Sequence, residues 1–338
     1  MKKIFILIMA LSVRLSIGQN ATEYLNIIGN EFLEIQKNTW DYTSSAAHGR
    51  SARKIEQKRR DVVISNKDAI RKISRMKAFN GSTGLRDSAL SFLKVNFAVL
   101  NEDYAKLVDL EEISEQSYDA MEAYMLAREK ANETLRVAGD IMESEYTGFA
   151  REHQITLRDD NRKVTDNLEV AGKVYSHYNE VYLIFFKSYK QEAYLLDAMN
   201  RNDVNGIEQN RNALASAAAE GRQKLKPLQP YKGDASLIKA CDDMLEFYSD
   251  ESSEKKGLAA YFVAKDNFEK IKKSFEEKPA SQRTGADVDK FNNAVNDFNR
   301  ENERFNSANE ALNKRRSSLI NTWNSTCDRF TDRHVPKR

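Results

Sequence analysis

Proline is scarce in this chain of 338 residues: four occur, and none lies between Gln19 and Lys226. Proline breaks helix interiors, so its absence leaves that long stretch free to be helical throughout. Strand signals are weak as well. Val, Ile and Thr rarely alternate with polar residues, which argues against a half-buried sheet. Beyond the first residues long apolar runs are missing: Val181 to Phe186 has six and Leu258 to Ala264 has seven. A bilayer span needs about 20. No membrane-crossing segment is therefore expected after the N-terminal leader.

Cysteine and histidine are nearly as rare. Two cysteines, Cys241 and Cys327, rule out a disulfide-dense scaffold and any C-x-x-C site. They can pair in an oxidising compartment or remain two buried thiols, and sequence cannot give their separation. The four histidines are His48, His153, His177 and His334, and none completes H-E-x-x-H or Glu-x-x-His. There is no G-x-S-x-G elbow and no P-loop. No motif points to a cofactor or a catalytic group. Asp242 and Asp243 beside Cys241 raise rather than lower a thiol pKa, which argues against a nucleophile.

What the chain does have begins with a leader. Lys2 and Lys3 precede an apolar run, Ile4 to Val13, and Ser16-Ile17-Gly18 offers small residues before Gln19. This is the pattern of a secretory signal peptide, residues 1–18, cleaved before Gln19. The full chain carries +2, and the leader holds Lys2, Lys3 and Arg14 without acids, so the mature charge is +2 − 3 = −1. The basic pI is thus partly a property of the leader and gives no reason to expect nucleic acid.

Helical spacing is strong. Phe291, Phe298, Phe305, Leu312 and Leu319 recur every seven residues, with Val295, Asn302, Asn309 and Trp323 at the companion positions. Thr284-Gly-Ala-Asp287 is a capping-box start for a helix over about 286–330. A second stripe runs Tyr175, Tyr178, Tyr182, Phe185 and Tyr189, at steps of three and four.

The chain also repeats itself. Ile55-Glu-Gln-Lys-Arg59 returns as Ile207-Glu-Gln-Asn-Arg211, an offset of 152 (207 − 55). At that offset Lys72 meets Lys224, Phe79 meets Tyr231, Gly81 meets Gly233, Leu85 meets Leu237 and Leu93 meets Leu245. The period is too long for a short solenoid repeat and suggests a duplicated domain. The expected fold is all-α: two tandem duplicated antiparallel four-helix-bundle units, elongated, with long coiled-coil-like helices. The first bundle occupies 19–152 and the second 153–338. Helices are expected at about 20–47, 50–78, 84–111 and 114–150, then 158–200, 203–226, 234–277 and 286–330. The helix over 234–277 is expected to break near Ser249 to Ser253.

Several stretches carry a resemblance. Asn38 to Lys54 (NTWDYTSSAAHGRSARK), Leu85 to Leu93 (LRDSALSFL), Leu100 to Val108, Ser117 to Ala127 and Tyr178 to Leu196 together resemble an uncharacterised family of exported bacterial surface proteins. The resemblance covers most of the mature chain. It implies an envelope location, periplasm or cell surface, and brings no activity or functional residue with it.

Three features are candidates for function. Trp40, Tyr42, His48 and Arg50 flank a run of small and hydroxyl residues that ends at a turn; they form either a close helix approach or a polar recognition spot. The stripe from Tyr175 to Tyr189 is either core or the wall of a ligand groove, and His177 with Glu180, one turn apart, would supply its metal ligands. Arg50 to Lys77 holds eleven basic residues against three acids. That stripe binds an anion or is neutralised by the acidic segment Glu102 to Glu122. The reading these features favour is an exported, non-enzymatic binding or scaffolding protein with an envelope protein or polysaccharide as partner. The alternative is a small-molecule or metal-binding bundle built on the aromatic stripe and His177. Oligomeric state does not follow from the sequence.

Overall fold

A computed structural model describes residues 19–49, 51–99, 117–157, 162–253 and 258–337. The expected leader, residues 1–18, lies outside the described residues, as do Arg50 and residues 100–116, which include most of the acidic segment. The described chain is helical, with α1 Gln19–Ala47, α2 Ala52–Ser74, α3 Gly84–Ala98, α4 Tyr118–Glu152, α5 Arg162–Asn200, α6 Val204–Leu225, α7 Ser236–Glu251, α8 Leu258–Glu277 and α9 Gly285–His334. Among the described residues no helix is long and apolar enough to cross a membrane.

Side-chain caps set three of the helix starts. The Ser117 and Asp203 side chains accept from the backbone N–H groups of Ala120 and Gly206, so α4 and α6 begin on capped turns. At the start of α9, Thr284 Oγ1 accepts from Asp287 N at 3.2 Å while Asp287 Oδ2 accepts from Thr284 N at 2.9 Å. That reciprocal pair is the expected capping box. Lys278 and the Thr284 donors hold the Asp287 carboxyl well below the usual range.

The expected helix over 50–78 stops early, at Ser74. The next residues leave the helix to form a tight turn in which Phe79 and Ser82 exchange backbone bonds of 2.9 and 2.8 Å. Phe79 then packs against Tyr24 and Phe149, both with ring centroids 5.2 Å away. That partly buried ring packing takes the place of one more turn of helix.

The chain divides into two compact units, Met1–His177 with Asp328–Arg338, and Tyr178–Cys327. The division falls inside α5 and α9 rather than at connections. In the first unit four helices share one core. Leu25, Ile28, Phe32 and Ile35 of α1 meet Ala69 and Ile73 of α2, Leu85, Ala89, Phe92 and Leu93 of α3, and Leu135, Met142, Tyr146 and Ala150 of α4. In the second unit the buried side chains include Val181, Phe185 and Leu195 of α5, Ile207 and Leu214 of α6, Leu237, Met244 and Phe247 of α7, and Trp323 of α9. Gly221 permits the tight crossing there: a Cβ would lie 3.0 Å from Leu245 Cδ1 and 3.3 Å from Ile184 Cγ2.

A second turn of the same kind lies in this second unit. Tyr231 and Asp234 exchange backbone bonds of 3.2 and 2.9 Å.

Candidate functional site

The small-residue run of α1 is built for close approach. Ser44, Ser45 and Ala47 are buried, and Trp40 is only 6% exposed. Ser45 Oγ donates back to Asp41 O at 2.6 Å, and Asp41 accepts from Lys58 Nζ of α2 at 3.2 Å. Tyr42 is half-buried. His48 ends the run against the C-terminal segment of the same unit: its Nδ1 lies 2.8 Å from Asp332 Oδ1 and its Nε2 lies 3.1 Å from Pro336 O. The structure thus joins His48 to residues almost three hundred positions later, while Arg50 lies outside the described residues. His48 and Lys337 hold the Asp332 carboxyl below its ordinary range.

The stripe on α5 is stacked along its own helix. Tyr178 and Tyr182 stack at 5.9 Å, Tyr182 and Phe186 at 5.6 Å, and Phe185 and Tyr189 at 5.5 Å. Phe185 is buried against Trp323 of α9, with centroids 4.3 Å apart. His177 faces Phe330 at 5.8 Å, whereas Glu180 is exposed. Among the described residues no three His, Cys, Asp or Glu side chains gather where they could hold a metal ion. The remaining histidines also meet aromatic rings: His153 lies 5.1 Å from Phe79, and His334 lies 4.7 Å from Phe330.

The basic stripe of α2 is largely met by carboxylates of α1 and of its own helix. Lys58 pairs with Asp41 and Asp61, Arg59 and Arg60 with Glu56, Arg71 with Asp68, and Lys72 with Glu31. Lys67 lies over the Phe97 ring at 5.2 Å. Neutralisation therefore begins nearer than the acidic segment from which the sequence led us to expect it.

The most unusual chemistry lies where no motif marks it. Arg316 of α9 reaches two buried carboxylates at once: its Nε donates to Glu192 of α5 at 2.5 Å, and its Nη2 donates to Glu251 of α7. The side chains of Glu192 and Glu251 are 3% and 2% exposed, and that of Arg316 is 13% exposed. Burial, with the negative charge of Glu192 adding to it, pushes the Glu251 carboxyl up to about 8, and Arg316 opposes the shift. Burial also pushes the neighbouring Tyr248 hydroxyl well above its usual range. Next to this triad, Arg211 of α6 is buried and donates to Ser252 O at 2.8 Å and to Glu208.

Cys241 and Cys327 are both buried free thiols. Cys241 Sγ lies 3.9 Å from Val181 O, and burial raises its thiol pKa far above normal, with Asp242 and Cys327 adding to the effect. Such a thiol is a packing group and a poor nucleophile.

The chain matches no family model, and no curated protein or solved structure is significantly similar to it.

Only the local parts of these arrangements had a signal in the sequence. The stripe periodicity marks Phe185 as inward. Nothing near Glu192, Glu251 or Arg316 announces that they meet, because they lie on three helices and are separated by 124 and 65 residues.

Proposed function

We propose that this chain is an exported, non-enzymatic helical protein of the bacterial envelope that binds or scaffolds another envelope component, protein or polysaccharide. The observation that supports this best is where its reactive side chains stand. His48, His177, Cys241, Glu192 and Glu251 are all engaged in tertiary contacts. The centre of the aromatic stripe is filled by Trp323. That leaves exposed helix faces as the working surfaces. The leader pattern and the resemblance to exported bacterial surface proteins supply the address.

The same reading includes an internal duplication into two antiparallel four-helix units with long coiled-coil-like helices. Its support is the agreement of detail at one offset. Glu56 with Arg59 and Glu208 with Arg211 form the same ion pair one helical turn apart. The pairs Val62 and Leu214, Ile73 and Leu225, Leu85 and Leu237, Phe92 and Met244, and Leu93 and Leu245 are buried at both members.

The test is to express the tagged chain in a Gram-negative bacterium, cross-link intact cells and analyse the envelope fraction by mass spectrometry. Expected is a mature N-terminus at Gln19 and one reproducibly enriched envelope protein or polysaccharide. Cytoplasmic recovery with Met1 intact, or an envelope fraction with no enriched component, would overturn the proposal.

A further inference from the structure

We propose that Glu192 and Glu251, bridged by the guanidinium of Arg316, form a buried proton-binding pair that makes the packing of α5, α7 and α9 in this unit sensitive to pH. Two carboxylates and one guanidinium carry a net −1 when all are ionised. Burying an uncompensated charge is costly, and a protein avoids the cost by keeping a proton. With one proton on the pair the triad is neutral. The charges that act on Glu251 are those of Glu192, which disfavours its ionisation, and of Arg316, which favours it.

The groups around the triad are these. On α5, Lys190 lies over the Phe186 ring and Tyr189 is partly exposed. On α6, Arg211 is bonded to Glu208 and to the carbonyl of Ser252. On α7, Tyr248 is buried and Asp250 pairs with Arg315 of α9. Also on α9, Asn313 accepts from Arg316 Nη1. The guanidinium that bonds both carboxylates is that of Arg316, so its charge cannot satisfy two anions.

The sign follows from proton binding. Glu251 is raised from 4.5 to about 8, so between those values the folded chain holds a proton that the unfolded chain has released. Stability rises with pH only where the unfolded state binds more protons. Here it falls as pH climbs through that window and levels off above it. The triad's contribution is complete below the lower value.

The chain contains two tryptophans, so Trp40→Phe leaves Trp323, buried in the same unit, as the single fluorescent reporter. Thermal unfolding of the full mature chain in that background is followed from about pH 5 to about pH 9, the span over which the pair would titrate. The expected midpoint falls by several degrees as pH rises. Glu192→Gln and Glu251→Gln should each flatten that fall and be the more stable proteins at the alkaline end, while Glu208→Gln should keep the fall. Infrared spectroscopy of the unsubstituted chain does not depend on any variant folding. A protonated-carboxyl C=O stretch should persist at about pH 7, where exposed carboxyls are ionised, and vanish at alkaline pH. Absence of that band at neutral pH, or an unchanged fall in both Gln variants, overturns the proposal.

Discussion

Gly81 and Gly233 hold the same left-handed backbone, at φ 86° and 84°, at the same place in two turns of one construction. In each turn the flanking residues, Phe79 with Ser82 and Tyr231 with Asp234, close an isolated antiparallel bridge. The residue before each glycine is also left-handed, Asn80 at 47° and Lys232 at 50°. Two positive φ values in succession define the tight primed turn, for which Asn-Gly is the preferred pair. Lys232 is the less comfortable occupant, since the left-handed region crowds a Cβ against the backbone.

That difference gives a prediction. Gly81→Ala and Gly233→Ala should each destabilise the chain by about 1–2 kcal/mol through backbone strain alone, since nothing lies within 4 Å of either added Cβ. Lys232→Asn should raise the thermal midpoint, whereas Asn80→Lys should lower it. Midpoints by circular dichroism check all four, and equal tolerance of alanine and glycine at both positions would contradict the assignment.

Trp323 is a core residue and should behave as one. It is 3% exposed and stacked on Phe185. Trp323→Ala should cost about 3–5 kcal/mol in chemical denaturation, the range for a buried aromatic replaced by alanine. A stable variant that had lost affinity for a small aromatic probe would instead support a ligand groove along α5.

His48 anchors the C-terminal segment. Both of its ring nitrogens face acceptors, the Asp332 carboxylate and the Pro336 carbonyl. His48→Ala should therefore speed amide hydrogen exchange over residues 328–337 several-fold, the consequence of losing bonds that contribute about 0.5–1.5 kcal/mol each. The rest of the first unit should keep its protection. Exchange unchanged in the C-terminal segment would mean that Phe330 and Val335, both buried, hold it without help.

Cys241 and Cys327 should be silent toward a maleimide in the native protein and react when it is unfolded. Burial excludes the reagent and keeps the thiolate of Cys241 scarce. Mass counting after denaturation without reductant should find both thiols labelled. A chain that takes up no label until reduced would carry the disulfide that an oxidising compartment favours.

The helices were legible because their signals are local. The span expected over 203–226 is observed at Val204–Leu225, and the helix expected to break near Ser249 to Ser253 ends at Glu251. Caps, glycine turns and three-to-four spacing act within a few residues and need no knowledge of the rest of the chain. The end of α9 shows the limit. The seam predicts a stop near 330, but the helix continues to His334, and Phe330 and Val335 are both buried. A distant surface decides that, not the seam.

Sequence alone therefore determined the helical class, the placement of most helices and the recurrence of one turn, because backbone sterics and apolar periodicity act over short distances. Tertiary structure decided which polar groups were used up. Nothing local sets His48 against Asp332 or Arg316 between Glu192 and Glu251; those pairings exist only once helices far apart in the chain pack side by side. The same packing removes water from the Glu251 carboxyl and so raises its affinity for a proton above that of an exposed glutamate.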